Sequence, residues 1–126
     1  MTEDRVARRL DDLARIGAEA AYLVAKGEDA YLADTMEGAL LRDAGERILI
    51  KVATVAEKLP DDFKGVHTDI DWAGINRMRN LVAHHYDKVN DDLLWQALTT
   101  RIPGLLARLN ASPGGSTTPE RGLDAE

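Results

Sequence analysis

The sequence predicts an all-α protein, an up-and-down bundle of four to five helices. Three observations carry this. Apolar residues recur at alternating spacings of four and three along several long segments, the rhythm of one helix face. No segment alternates with the period of two that marks a half-buried strand. Hydrophobic residues make up 44% of the chain but aromatic residues only 5%, so alanine, leucine, valine and isoleucine fill the interior, which suits close helix packing.

The first helix starts at Thr2, a capping hydroxyl followed by Glu3 and Asp4 near the positive end of the dipole. Val6, Leu10, Leu13, Gly17, Ala20 and Val24 form its stripe, and it ends near Lys26 before Gly27-Glu28-Asp29. Ala30-Tyr31-Leu32-Ala33 is short enough to be no more than a helical turn. Asp34 or Thr35 caps the second long helix, with Leu41, Gly45, Ile48, Val52, Val55 and Leu59 on its stripe and Pro60 as its stop. Leu49 and Ile50 widen that face and predict contacts on two sides. Asp61 to Thr68 reads as a connection, with His67 as a solvated loop histidine. Asp69 or Asp71 caps a third helix beginning near Trp72, and Trp72 and Trp95 read as core. Asn90 or Asp91 caps a fourth, with Leu94, Trp95, Leu98 and Ile102 inward. Pro103-Gly104 should kink or break it, leaving Leu105 to Leu109 as a last short helix. The helical domain thus spans residues 1–110. Residues 111–126, dominated by Ser, Pro, Gly and Thr, read as a disordered tail.

With 126 residues the chain is of single-domain size. It has no cysteine, which excludes disulfides and thiol chemistry. No apolar run reaches the ~20 residues that span a bilayer, and no signal core follows the N-terminus, so the expectation is a cytoplasmic protein without membrane contact. The net charge of −6 argues against nonspecific coating of nucleic acid but leaves room for a local basic cleft.

The densest polar chemistry lies inside the third apolar pattern, at Arg77-Met78-Arg79-Asn80-Leu81-Val82-Ala83-His84-His85-Tyr86. On a helical wheel Ile75, Met78 and Val82 give the apolar direction. Arg79 and Tyr86 fall within about 20° of each other in that sector. A guanidinium there requires an anion, either Asp71 or an acid on the second helix. Asn80 and His84 share another face, with Arg77 near it. Arg79 and His84 point about 140° apart on a regular helix. A site using both needs a wrapped arginine, an irregular turn near His84, or a second copy of the helix, and the last favours a homodimer with a shared cleft. A histidine can move protons near neutral pH and an arginine can hold a phosphate. Each residue also has a structural explanation: an ion pair for Arg79, a dipole-favoured helix end for His84 and His85, a boundary ring for Tyr86.

Arg79-Asn80-Leu81-Val82-Ala83-His84, continued to Tyr86, resembles the R-x4-H-x-Y motif of the HepT-like branch of HEPN domains. Leu59-Pro60-Asp61-Asp62, Asp71-Trp72 and Asn90 to Trp95 extend the likeness over roughly residues 3–110. The resemblance implies a metal-independent endoribonuclease toxin that needs no cofactor. It implies Arg79 and His84 as the central pair with Asn80 in support, and phosphate contacts from Arg77, Lys88 and His85 follow from their place beside it. It also implies a nucleotidyltransferase antitoxin that transfers AMP to Tyr86. The alternative is a non-catalytic HEPN module that binds a nucleotide or such a transferase. Two departures stand out: His85 takes a position where the branch often has glycine, and Ala53-Thr54-Val55 stands where it often has Gly-Glu-Ala, with Glu46 and Glu57 as the nearby acids.

Overall fold

The structure, a computed structural model, describes residues 2–83 and 90–109. It is all-α, with no strand among the described residues. Four rods make the bundle: α1 (Thr2–Val24), α3 (Met36–Glu57), α5 (Trp72–Ala83), and a C-terminal rod of α6 (Asp91–Gln96), a π-helical stretch (Ala97–Arg101) and α7 (Ile102–Arg108). Two short helices, α2 (Glu28–Leu32) and α4 (Asp61–Val66), sit in the connections. α3 is the central member, packed on α1 along one side and on α5 along another, while the C-terminal rod packs on α1. The widened face expected from Leu49 and Ile50 serves these two neighbours: Leu49 is buried and Ile50 packs against the core. No described helix is long and apolar enough to cross a membrane.

The stripes locate most of the core. Leu13, Ala20, Ile48, Val52, Leu59, Val82, Leu94, Leu98 and Ile102 are all buried. Ile16 and Leu23 join them from outside the expected stripe, because α1 meets two partners. The capping expectations resolve to Thr35, whose hydroxyl accepts from the Gly38 amide at 3.0 Å, and Asn90, whose side chain accepts from the Leu93 amide at 3.2 Å. At α5 the Asp71 carboxylate accepts from the Gly74 amide at 2.9 Å. Trp72 and Trp95 are half-buried against the core, and the Trp72 indole donates to the His67 carbonyl at 3.1 Å.

Two expectations are corrected. Residues 61–68 are not a plain connection, because Pro60 stops α3 and then serves as the N-cap position of α4. Asp61 and Asp62 follow it in the first turn, an acidic start that favours a helix. His67 lies at the C-terminal end of α4 with its ring 4.5 Å from that of Phe63, so it is half-buried rather than solvated. Nor does Pro103-Gly104 break the C-terminal rod. Pro103 falls in the first turn of α7, directly after the π-helical stretch. The wider turn offsets the carbonyl that the proline ring would otherwise strike, and the rod runs on. The tail from residue 110 lies outside the described residues.

Tyr31 is the largest fully buried side chain. Its ring lies 5.1 Å from that of Trp95, and its hydroxyl has no hydrogen-bond partner among the described residues. Gly45 makes room for it: a Cβ there would stand 3.0 Å from the hydroxyl and 2.9 Å from Leu98 Cδ1. Arg42 donates to the Tyr31 and Ala33 carbonyls at 2.9 and 2.8 Å, closing the end of α2. Burial pushes the Tyr31 hydroxyl well above the ordinary tyrosine range, helped by the Asp91 and Glu46 carboxylates and opposed by Arg42.

The unfolded chain releases the Tyr31 proton near pH 10 while the folded chain keeps it, so stability falls as pH rises above about 10, by about 1.4 kcal/mol per pH unit. Tyr31→Phe should remove that component in urea melts at pH 9 to 11. It should also leave stability at pH 7 equal or about 1 kcal/mol higher, since no hydrogen bond is lost.

Candidate active site

α5 carries the polar stretch, and its local sequence explains its pose. Asp71 caps it, and Trp72, Ile75, Met78 and Val82 turn toward the core. That choice of face leaves Asn76, Arg77 and Asn80 exposed and brings Arg79 to the seam with α3. Arg79 Nη1 donates to Glu57 Oε1 at 2.6 Å. The Arg79 side chain is 25% exposed and that of Glu57 61%. The anion required by an arginine in the apolar sector is therefore an acid on the second long helix.

Glu57 is the last residue of α3, one turn beyond Thr54, whose hydroxyl donates to the Ile50 carbonyl at 2.9 Å. A cleft of about 290 Å³ opens beside the pair, between α3, α4 and α5, with Glu57, Lys64 and Asn76 as polar lining and Trp72 as a wall. Lys64 Nζ donates to the Glu57 carbonyl at 3.3 Å. Arg79 thus holds the carboxylate of Glu57 while Lys64 holds its backbone carbonyl.

Arg77 does not join Arg79. It turns the other way, to Asp71 at 3.5 Å, and both of those side chains are exposed. It borders a larger groove of about 750 Å³ between α5 and the C-terminal rod, floored by Leu49, Val52, Ile75, Met78 and Leu105. Asp69 and Arg108 pair across that groove's rim at 3.5 Å. Asn80 is exposed on the outer side of α5. His84, His85, Tyr86 and Lys88 lie outside the described residues, between the end of α5 at Ala83 and the cap at Asn90.

This helical arrangement, with the motif beginning on a capped α5, accompanies a family match: ribonuclease HepT-like, over residues 7–111. The chain belongs to the HepT-like ribonuclease family. Three relatives carry provisional names as ribonucleases. A Caldanaerobacter subterraneus protein named as an RNase is 27% identical over 93 residues, 74% of this chain and 83% of that protein. A Thermococcus cleftensis protein named as ribonuclease HepT is 34% identical over 59 residues, 47% of this chain and 54% of that one. A Methanocaldococcus jannaschii protein named as an RNase is 28% identical over 57 residues, 45% and 47% of the two chains. The chain thus spans about half the length of two of these relatives. No solved structure matches it.

Sequence reasoning found Arg79 and named Glu57 among the nearby acids, but did not join the two. The signal lay in the helix period: an acid at the C-terminal end of α3 has the dipole against it and gains from a cation close by.

Proposed function

We propose that this HepT-like protein is an endoribonuclease that cuts RNA without a metal ion, using Arg79 and His84 with Asn80 in support. One observation carries the reading: Arg79 is held at a half-open seam by a largely exposed carboxylate. A pair of that exposure contributes about 1 kcal/mol at most. A doubly anchored RNA phosphate can displace Glu57 at small cost, whereas a dry, buried pair would hold the arginine for structure alone.

The chemistry balances with these groups. The 2′-hydroxyl loses its proton to an imidazole as its oxygen bonds to phosphorus. The P–O5′ bond breaks, the 5′-oxygen takes a proton from water, a 2′,3′-cyclic phosphate is left, and the guanidinium neutralises charge gathering on the phosphoryl oxygens. Arg77, His85 and Lys88 are proposed as outer phosphate contacts.

The open groove between α5 and the C-terminal rod, with apolar floor and paired rim, supports a homodimer that brings a second motif close. Tyr86 is proposed as the acceptor of AMP from a partner nucleotidyltransferase. The added phosphate and adenine would then repel and displace RNA phosphate. Incubation with such a transferase and ATP should add the mass of AMP to the wild type and none to Tyr86→Phe. These features are those of a toxin in a cytoplasmic toxin–antitoxin pair.

The deciding experiment incubates purified protein with cellular RNA in excess chelator. The wild type should cut it, and His84→Ala should be slower by about 10²–10⁴-fold. Undiminished cleavage by His84→Ala would overturn the mechanism. The net charge of −6 and Ala53-Thr54-Val55 in place of the branch's usual Gly-Glu-Ala favour a second reading, a module that binds a nucleotide or transferase and cuts nothing. RNA left intact by the wild type selects it.

A further inference from the structure

A second groove, of about 660 Å³, runs between α1 and α3 on the side of α3 turned away from α5. We infer that it is a binding path for single-stranded RNA, formed by Lys26 and Arg47 as phosphate contacts and Tyr22 as a stacking platform. The inference rests on the ribonuclease reading for its ligand, but on none of the residues of the motif.

Four cations line the groove, Arg15, Lys26, Arg47 and Lys51, against the single carboxylate of Glu19. In a chain of net charge −6 this is a local reversal of sign. Two of the four are already neutralised: Arg15 by Asp12 at 2.5 Å and Lys51 by Glu19 at 2.5 Å. Lys26 and Arg47 have no carboxylate partner among the described residues, so they are the charges left for an anion.

Tyr22, in the last turn of α1, is 71% exposed, a large aromatic ring left open to solvent at the edge of the groove. Lys26 Nζ stands 4.7 Å from the centre of its ring, which keeps a cation beside the aromatic face. Beneath them the floor is apolar, with Leu23 and Ile48 buried. A cationic track beside an exposed ring is how proteins bind single strands without reading sequence: phosphates follow the charges and bases stack. Arg15, Glu19 and Tyr22 are spaced four and three apart and share one face of α1, and Lys26 follows in the turn after the helix. A path of that length accommodates a few nucleotides.

The test is equilibrium binding of a fluorescein-labelled 20-nucleotide single-stranded RNA across a salt series. It compares wild type, Tyr22→Ala, the double variant Lys26→Ala/Arg47→Ala, and Arg8→Ala as an exposed cation of α1 outside the groove. Each cation on a phosphate adds about 0.7 to the slope of log K against log salt. The double variant should therefore lose about 1.4 from that slope. Tyr22→Ala should weaken binding about 10-fold with the slope unchanged. Arg8→Ala should match wild type. Circular dichroism confirms that each variant folds.

Equal affinity and slope in all four proteins would overturn the inference. So would retained RNA affinity with loss of an acidic protein partner from the Tyr22→Ala surface, which would make the groove a protein dock. RNA cleavage by wild type alongside groove variants that bind normally rejects the groove and spares the catalytic reading. Groove-dependent binding without cleavage does the reverse.

Discussion

Replacing Arg79 with alanine is expected to lower the rate of RNA cleavage by about 10²–10³-fold, the loss seen when one preorganised donor to a developing anionic oxygen is removed. The fold should survive, because the Arg79–Glu57 pair is exposed enough to contribute about 1 kcal/mol at most. Arg79→Lys should rescue little. A lysine carries the charge but not the planar fork that can hold a phosphate with two parallel hydrogen bonds. Glu57→Gln tests the same idea from the other side. It keeps the size and removes the competing charge, so RNA affinity should rise several-fold while the melting temperature barely moves. Single-turnover cleavage and fluorescence anisotropy separate the two effects. A drop in RNA affinity in Glu57→Gln would mean that the carboxylate poses the arginine rather than competing for it. Loss of helicity or of dimer in Arg79→Ala would mean that the pair is structural.

The second large effect lies far from the motif. Gly38→Ala should destabilise the protein by about 3 kcal/mol, the upper end of the cost of overpacking. A Cβ at Gly38 would press into the carbonyl oxygen of Ala33 and crowd that of Ala30. These are backbone atoms at the end of α2, which Arg42 already clamps. They cannot rotate away as a side chain can. At about 4 °C per kcal/mol for a domain of this size, the melting temperature should fall by about 12 °C. Gly45→Ala offers the contrast. Its Cβ would meet only side chains, Leu98 and Tyr31, so the cost should be about 1–3 kcal/mol. Combining it with Tyr31→Phe should recover part of that loss. Strict additivity of the two would show that the hydroxyl is not what crowds the site.

Much of this protein could be read before its structure. The spacing of Leu13, Ala20, Ile48, Val52, Leu94 and Leu98 follows the period of a helix, so burial could be inferred residue by residue. The caps at Thr35, Asp71 and Asn90 were legible as side-chain chemistry. Ile16 and Leu23 were not, since a single stripe describes a helix with one neighbour and α1 has two. α4 was missed because six residues hold too few turns to show a period, although Pro60-Asp61-Asp62 carried the start signal. At the site, the sequence singled out Arg79 and required an acid for it. Which acid was a matter of how α3 and α5 cross, and that is set by packing. Tyr22 could not be singled out, since on the helical wheel it falls away from the α1 stripe, where an exposed side chain carries no signal of its own.

The five residues from Ala97 to Arg101 have a meaning for how this chain could change over generations. Together they widen one turn of an otherwise ordinary helix, and everything after them is rotated relative to everything before. Leu105, Leu106 and Leu109 point inward in that phase. Losing one residue here would restore a uniform spiral and leave those three leucines facing inward, whereas losing one from a regular turn of the same rod would swing all that follows by about 100°. The stretch therefore acts as a length buffer: it can give up one residue, which the regular turns on either side cannot.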